Sequence, residues 1–159
     1  MLVVIGCGNL NRSDDGVGVV VAQKLLAAPR SASARVKIFD AGTGGMEILF
    51  QARGAQKLII IDAASSGSEP GAIFEVPGSK LENRPSPGFT LHDFRWDHAL
   101  YAGRRIWSND FPTDVTVFLI EAASLAYGFD LTPKVLEAAE LVVDRIETLI
   151  ADFCAEDAS

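Results

Sequence analysis

Cysteine is scarce in this chain of 159 residues, with Cys7 near one end and Cys154 near the other. Two thiols so far apart are too few for the disulfide framework of a small secreted domain, and they lack the close spacing of a zinc knuckle. No neighbouring sequence pattern marks Cys7 as an activated nucleophile. We therefore expect two free thiols and a cytoplasmic protein.

Long apolar runs are also missing. No stretch approaches the roughly 20 residues that cross a bilayer, and the amino-terminal sequence MLVVIGCGN has no basic region before its short apolar run. Neither membrane insertion nor export is expected, so a membrane is not a predicted partner.

Positive charge is the third shortage, since 14 Lys and Arg residues face 21 Asp and Glu residues. The net charge is −7 and the basic residues are scattered along the chain. A nucleic-acid-binding surface needs clustered basic residues, so DNA and RNA are not expected partners.

Apolar residues, in contrast, make up 48% of the chain, which is enough for the core of one domain. We expect a single domain over residues 1–154 and a frayed acidic tail over 155–159. Apolar periodicity alternates between strands and helices, which predicts an α/β fold: a three-layer α/β/α sandwich around a mostly parallel five-stranded twisted sheet. The predicted strands are Leu2–Ile5, Val36–Phe39, Lys57–Ile61, Ala72–Val76 and Val115–Glu121.

The regions between these strands are predicted as helices and loops. Helices are expected from Val17, over Met46–Ala52, over His92–Gly103 and from Thr132 onward, and residues 78–90 read as a long surface loop because they are rich in Gly, Pro and Ser.

Acidic side chains follow three of the predicted strands. Asp14 and Asp15 come after the first strand, Asp40 after the second and Asp62 after the third. If the strands lie in the order 2-1-3, the carboxyl ends of these strands place the acids on one rim of the sheet, where ligands of such folds bind. Neighbouring carboxylates repel each other unless protons, donors or a cation relieve them, so the pattern favours a site.

Each of these residues also has a purely structural interpretation. Asp14 or Asp15 is expected to cap the helix that follows, and Asp40 fits a turn before Gly42, Gly44 and Gly45. A histidine before or within a helix is often a surface or packing residue, and the basic and aromatic cluster is either a partner-binding patch or plain surface; these residues are His92, His98, Arg95, Trp96, Arg104 and Arg105.

The pair Gly6 and Gly8 invites a dinucleotide-binding interpretation, which fails on two counts. Asn11 stands where the fingerprint needs its third glycine. Asp14 and Asp15 at the helix start would also repel a pyrophosphate. An acidic helix start suits a cation instead.

Four segments together resemble the hydrogenase maturation endopeptidases of nickel–iron hydrogenases. They are VIGCGNLNRSDDGVG, DAGTGGMEILF, LIIIDAASSGSEPG and SPGFTLHDF, in family order along the chain. The resemblance implies an endopeptidase that removes the C-terminal extension of the hydrogenase large-subunit precursor after nickel insertion. The precursor is the implied partner, the protein is expected to be a monomer, and no intrinsic cofactor is expected.

The resemblance also implies the site residues. Asp15, Asp62 and His92 would be catalytic and would contact the nickel of the substrate's metal centre, and carboxylate oxygen with imidazole nitrogen suits such a metal. Asp40, Gly42, Thr43 and Gly44 would shape the substrate cleft. His98 is the alternative to His92, whose place between loop and helix favours it.

The chemical role of the metal stays open at this point. It would either polarise the scissile carbonyl or only register the substrate, with a carboxylate then acting as general base. Two other functions remain: a non-catalytic nickel-sensing or chaperone module for the precursor, and another enzyme on the same architecture, such as a phosphorylase. A phosphate site would need basic groups or bare glycine amides, and the acids argue against it.

Overall fold

The computed structural model describes residues 1–86 and 94–156. Within these ranges five strands and four α-helices follow one another along the chain. Their order is β1 (Leu2–Cys7), α1 (Val17–Ala27), β2 (Val36–Gly42), α2 (Gly45–Ala52), β3 (Lys57–Ala64), β4 (Ile73–Pro77), α3 (Trp96–Trp107), β5 (Asp114–Glu121) and α4 (Pro133–Glu156).

The five strands form one sheet in the order β2-β1-β3-β5-β4. All neighbouring pairs are parallel except β4 and β5, which are antiparallel. A strand that runs parallel to the preceding strand of the chain requires a long crossover, usually helical. Only residues 65–72 join β3 to β4, so β4 runs opposite to β3 and is therefore antiparallel to its neighbour β5, which is parallel to β3. The predicted order 2-1-3 and the mostly parallel sheet are confirmed.

Helices cover both faces of the sheet and give the predicted three layers. On one face α1 and α4 pack in an apolar core with Val4, Ile59 and Phe118. On the other face α2 and α3 pack in a second core with Ile5, Ile60 and Val117. Because both of its faces are covered, β3 is buried from Leu58 to Asp62, as its unbroken apolar run predicts.

Several boundaries differ from those predicted around the candidate site. Strands β2 and β3 run two residues beyond Asp40 and Asp62, so both acids lie within the ends of strands. Helix α3 begins at Trp96, after Phe94 and Arg95 in extended backbone. The predicted helix start at His92 lies outside the described residues.

Two further segments depart from expectation. A 3₁₀ turn at Gly78–Lys80, with Gly78 buried against Val115, lies inside the predicted surface loop. Helix α4 continues to Glu156, past the expected start of the tail at residue 155. No helix in residues 1–86 and 94–156 is long and apolar enough to span a membrane.

Candidate active site

The segment that carries Asp15 is pressed onto the end of the sheet by glycines. A Cβ atom on Gly18 would lie 2.2 Å from the carbonyl oxygen of Ile61 and 2.4 Å from that of Cys7. Gly8 has a φ of +134° and passes so close to Asp15 that a Cβ there would lie 1.9 Å from the Asp15 carbonyl oxygen. Gly18 therefore allows α1 to approach the ends of β1 and β3, and Gly8, one of the pair that suggested a nucleotide motif, allows the turn that carries Asp15 to lie against the end of β1.

Asp15 lies in a 3₁₀ turn over Ser13–Gly16, immediately before α1. Its Oδ2 accepts a hydrogen bond from the backbone N–H of Asn9 at 3.1 Å, which orients the carboxylate. Within the described part of the chain, no hydrogen bond reaches its Oδ1. One carboxylate oxygen of Asp15 is therefore held in place by the backbone.

Asp62 lies close to the carboxyl end of β3 and is only 7% exposed. Its Oδ1 accepts a hydrogen bond from the N–H of Ala63 at 2.8 Å. Its Oδ2 accepts one from the indole Nε1 of Trp96 at 2.9 Å and one from Arg95 at 3.4 Å. Two side chains from the start of α3 therefore fix the orientation of this carboxylate.

Burial raises the pKa of the Asp62 carboxyl above its ordinary value. The hydrogen bonds from Trp96 and Ala63 and the charge of Arg95 oppose this rise, whereas the nearby carboxylate of Asp15 adds to it. An acid with a raised pKa is a better proton acceptor than an exposed one, which suits general acid–base chemistry.

Asp15 and Asp62 border one open cleft of about 260 Å³, which we call the acidic cleft. Gly42, Thr43 and Gly44 line its opposite wall, and Gly42 adopts a left-handed φ of +52°. The sheet thus brings the two acids and the glycine turn together, as the strand order predicts. The other residues lining the cleft are Cys7, Gly8, Arg12, Gly45, Ile48, Arg95 and Trp96.

Asp40 has a different position from the other acids. Its Oδ1 accepts a hydrogen bond from the N–H of Gly42 at 2.9 Å, which is the turn role that its sequence context allowed. The side chain borders a neighbouring depression that shares Gly8, Gly42 and Thr43 with the acidic cleft. Asp40 therefore shapes the cleft wall through the turn.

The expectation that Asp14 or Asp15 caps the following helix is wrong. No side chain makes a capping hydrogen bond at the start of the 3₁₀ turn or of α1. Asp14 is completely buried, and it accepts hydrogen bonds from the backbone N–H groups of Ala123 and Ser124. It also accepts two from Thr132, one from the N–H and one from Oγ1, both at 2.8 Å. A buried carboxylate requires hydrogen-bond donors, and Asp14 finds them in the loop between β5 and α4. Asp14 therefore holds this loop next to the turn that carries Asp15.

The predicted metal ligands can be compared only in part. Asp15 and Asp62 share the acidic cleft, whereas His92 lies outside the described residues. Among residues 1–86 and 94–156, no group of three or more His, Cys, Asp and Glu side chains is placed to hold a metal ion. His98 lies in the first turn of α3, where its Nδ1 accepts a hydrogen bond from the N–H of Arg95 at 3.2 Å.

The thiol of Cys7 lies at the floor of the acidic cleft. Burial raises its pKa well above the ordinary value, and the carboxylates of Asp62 and Asp40 raise it further, against the opposing charge of Arg95. A thiol with a raised pKa carries little thiolate at neutral pH and is a poor nucleophile. The cleft therefore offers carboxylates for chemistry, as the absence of an activating sequence pattern around Cys7 indicated.

Three residues of the cleft have roles that their sequence pattern did not predict. The pattern of residues predicted a partner-binding patch or plain surface for Trp96 and Arg95. In the structure Trp96 is buried, and both side chains donate hydrogen bonds to Asp62. Arg12 also borders the cleft, and nothing in its spacing pointed there. The one sequence signal for the role of Trp96 was an aromatic residue near the candidate histidine, in the first half of the predicted helix His92–Gly103.

Fold and site together define a class: an α/β sandwich with a pair of carboxylates in a cleft at the carboxyl ends of its central parallel strands. The family model described as "Hydrogenase maturation protease" (HycI) matches residues 19–149. The chain belongs to the hydrogenase maturation protease family, and the resemblance seen in its motifs is confirmed.

Individual relatives agree with this assignment. The hydrogenase 2 maturation protease of Escherichia coli K12 is 30% identical over 151 residues, covering 91% of this chain and 87% of that protein. The hydrogenase expression/formation protein HoxM of Cupriavidus necator is 33% identical over 92% of this chain and 71% of its own length. The chain spans 60% of the length of a relative from Methanocaldococcus jannaschii and 58% of the length of one from Methanothermobacter thermautotrophicus.

A solved structure shows the same fold. The hydrogenase-maturating endopeptidase HybD from E. coli superposes with a TM-score of 0.78 and 26% identity, over 95% of this chain and 92% of that one. Because the family consists of proteases, the predicted enzyme class, a peptidase hydrolase, is confirmed.

Proposed function

We propose that this protein is an endopeptidase that removes the C-terminal extension of a nickel–iron hydrogenase large-subunit precursor after nickel insertion. The observation that carries the proposal is the acidic cleft, in which Asp15 and Asp62 face the glycine turn at Gly42–Gly45. A pair of carboxylates beside a backbone wall can hold an extended peptide and the metal that accompanies it.

The nickel of the precursor is substrate in this proposal. Asp15 and Asp62, which both border the cleft, would contact it, and His92 remains the proposed third ligand. Its rival His98 is the weaker choice because the Nδ1 atom of that ring accepts the hydrogen bond from Arg95. Oxygen and nitrogen ligands of this kind accept a borderline divalent metal and leave coordination positions for groups of the substrate.

Hydrolysis of the peptide bond needs a water activated beside the scissile carbonyl. Asp62 is the proposed base, because burial raises its pKa and so makes it a better proton acceptor than an exposed aspartate. Trp96 and Arg95 would hold its carboxylate in place during proton transfer. The Gly42–Gly45 turn and Asp40 would position the extended substrate.

The test is a cleavage assay with the matched large-subunit precursor, loaded with nickel in one sample and free of nickel in the other. We expect cleavage of the loaded precursor only, and loss of cleavage in Asp15→Asn and Asp62→Asn, which remove charge while keeping shape. Asp144→Asn is the matched control, because Asp144 is exposed on α4. Full activity of Asp62→Asn would overturn the proposed site.

Binding measurements divide the two roles of Asp62. If it only accepts a proton, Asp62→Asn still captures the nickel-loaded precursor without cleaving it. If it is mainly a nickel ligand, the variant also loses its preference for the loaded precursor over the nickel-free one. Nickel-dependent capture without cleavage by the wild-type protein would instead indicate the non-catalytic sensing module. The predicted monomeric state and cytoplasmic location stay predictions.

A further inference from the structure

Two aromatic side chains are almost fully exposed on the loop between β5 and α4. Tyr127 is 92% exposed and Phe129 is 82% exposed, with Gly128 between them. A single exposed apolar side chain is ordinary, but neighbouring exposed aromatic residues are characteristic of surfaces that bind another protein. We call the pair Tyr127 and Phe129 the aromatic tip.

The backbone beneath the aromatic tip is firmly held. Buried Asp14 accepts hydrogen bonds from both ends of the loop, from Ala123 and Ser124 on one side and from Thr132 on the other. The loop is thus closed by one carboxylate.

The middle of the loop is fixed as well. The N–H of Ser13 donates to the carbonyl oxygen of Gly128 at 2.8 Å, and the N–H of Gly128 donates to that of Asn11 at 2.9 Å. Ser13 Oγ donates to the carbonyl oxygen of Asp130 at 2.8 Å. A rigid loop that presents exposed aromatic rings loses little conformational entropy when those rings are buried in a complex.

The loop is continuous with the acidic cleft. Arg12 borders the cleft, pairs with Gly128 as an isolated β-bridge and donates from Nε to the carbonyl oxygen of Leu125 at 3.2 Å. Asp14 holds the loop while its neighbour Asp15 faces the cleft. The loop that carries the aromatic tip is thus connected to the cleft through Arg12 and the turn of Asp14 and Asp15, so a protein bound in the cleft can also contact the tip.

We propose that the aromatic tip docks the large-subunit precursor beside the acidic cleft by inserting Tyr127 and Phe129 into apolar surface of that substrate. This inference rests on the proposed function, in which the C-terminal extension of the precursor enters the acidic cleft. The surface of the precursor next to that extension then lies beside the aromatic tip, and aromatic side chains contribute a large apolar area to such a contact.

The size of the aromatic tip favours the substrate over a second copy of this chain. Two aromatic side chains bury about 150–250 Å² each, whereas a stable interface buries about 800 Å² on each partner. The tip alone is too small for a dimer interface, but it adds to the contacts that a substrate already makes in the cleft. Tyrosine is also common among the residues that dominate binding energy in interfaces.

The test compares the double variant Tyr127→Ser/Phe129→Ser with wild type. Binding is measured with the nickel-free precursor, which is not expected to be cleaved, and KM is measured with the nickel-loaded precursor, both in proteins that retain Asp62. We expect the dissociation constant and KM to rise about tenfold, whereas kcat should change little. Thermal unfolding of the double variant should match wild type, since both side chains are exposed.

The matched control is Leu26→Ser/Leu141→Ser, which removes two side chains that are 58% and 61% exposed on α1 and α4. This control should bind and cleave like wild type. Equal dissociation constants for wild type and the tip variant would overturn the docking proposal, as would a wild-type dimer that the tip variant abolishes. If wild type binds the precursor without cleaving it, the proposed function fails while the binding comparison still tests docking.

Discussion

Trp96 donates a hydrogen bond from Nε1 to the Oδ2 of Asp62 at 2.9 Å, and both side chains are buried. The bond joins the first residue of α3 to the end of the central strand β3. It also lowers the pKa of Asp62 against the rise that burial causes. The indole of Trp96 thus contributes both to the position and to the proton affinity of the proposed base.

Replacing this indole should move the pH profile. Trp96→Phe removes the hydrogen bond that lowers the Asp62 pKa, so that pKa rises and the acid limb of kcat/KM shifts to higher pH. Trp107→Phe is the matched control on the same helix, because no acceptor for its Nε1 lies among the described residues. An unchanged acid limb in Trp96→Phe would contradict the role of Trp96.

The raised pKa of Asp62 also predicts a pH-dependent difference in stability. The folded protein retains the Asp62 proton to a higher pH than the unfolded chain, where Asp titrates near about 3.9. The resulting stabilisation is complete below that value and is lost as pH rises through the folded pKa. Urea unfolding should be measured between about pH 3 and pH 8, a range that includes both the ordinary pKa of Asp and a raised one. The free energy of unfolding of wild type should increase relative to that of Asp62→Asn as pH falls. A difference independent of pH would mean that the Asp62 pKa is ordinary.

Asp14 should contribute to the stability of the fold through its buried hydrogen bonds. Asp14→Asn replaces an acceptor oxygen by a donor opposite buried N–H groups, and we expect a loss of about 2–4 kcal/mol in the free energy of unfolding. Asp144→Asn on the exposed side of α4 should change it by less than about 0.5 kcal/mol. Denaturant titrations of both variants test this prediction. Equal free energies of unfolding for Asp14→Asn and Asp144→Asn would mean that the hydrogen bonds of Asp14 do not stabilise the fold.

Gly45 keeps α2 in contact with the segment before α3. A Cβ at Gly45 would lie 2.3 Å from the carbonyl oxygen of Phe94, whereas the one described atom near a Cβ at Gly44 is the carbonyl oxygen of Ala41, at 3.4 Å. Gly45→Ala should cost about 1–3 kcal/mol and displace Trp96 from Asp62, which is visible as a shifted indole N–H resonance in NMR spectra. Gly44→Ala should leave stability and that resonance nearly unchanged, and similar effects of both would contradict the steric explanation.

The two cysteines should differ in reactivity. Cys7 is buried with a raised pKa, whereas Cys154 is partly exposed. Iodoacetamide at pH 8, about the ordinary thiol pKa, should modify Cys154 first in the native protein and leave precursor cleavage unaffected. Peptide mass spectrometry gives the order of modification. Rapid labelling of Cys7 together with loss of activity would point to a thiol nucleophile.

The site shows how far the sequence alone reaches. Apolar runs followed by acids placed Asp15 and Asp62 on one rim, because the carboxyl ends of parallel strands meet at one edge of a sheet. The same reasoning assigned a cap to Asp14 or Asp15, but neither caps α1, and Asp14 instead closes a loop of residues 123–132. Local pattern predicted a local partner, but the donors that satisfy Asp14 lie more than a hundred positions away in the chain.

The sequence by itself determined the α/β class, the acids at the strand ends and the family. These follow from the period of apolar residues and from short motifs, which depend on neighbouring positions. Only the tertiary structure decided that Trp96 and Arg95 hold Asp62, that Gly45 admits Phe94, and that Asp14 supports Tyr127 and Phe129. These contacts depend on how separate elements pack, and burial then makes each carboxylate require donors from distant residues.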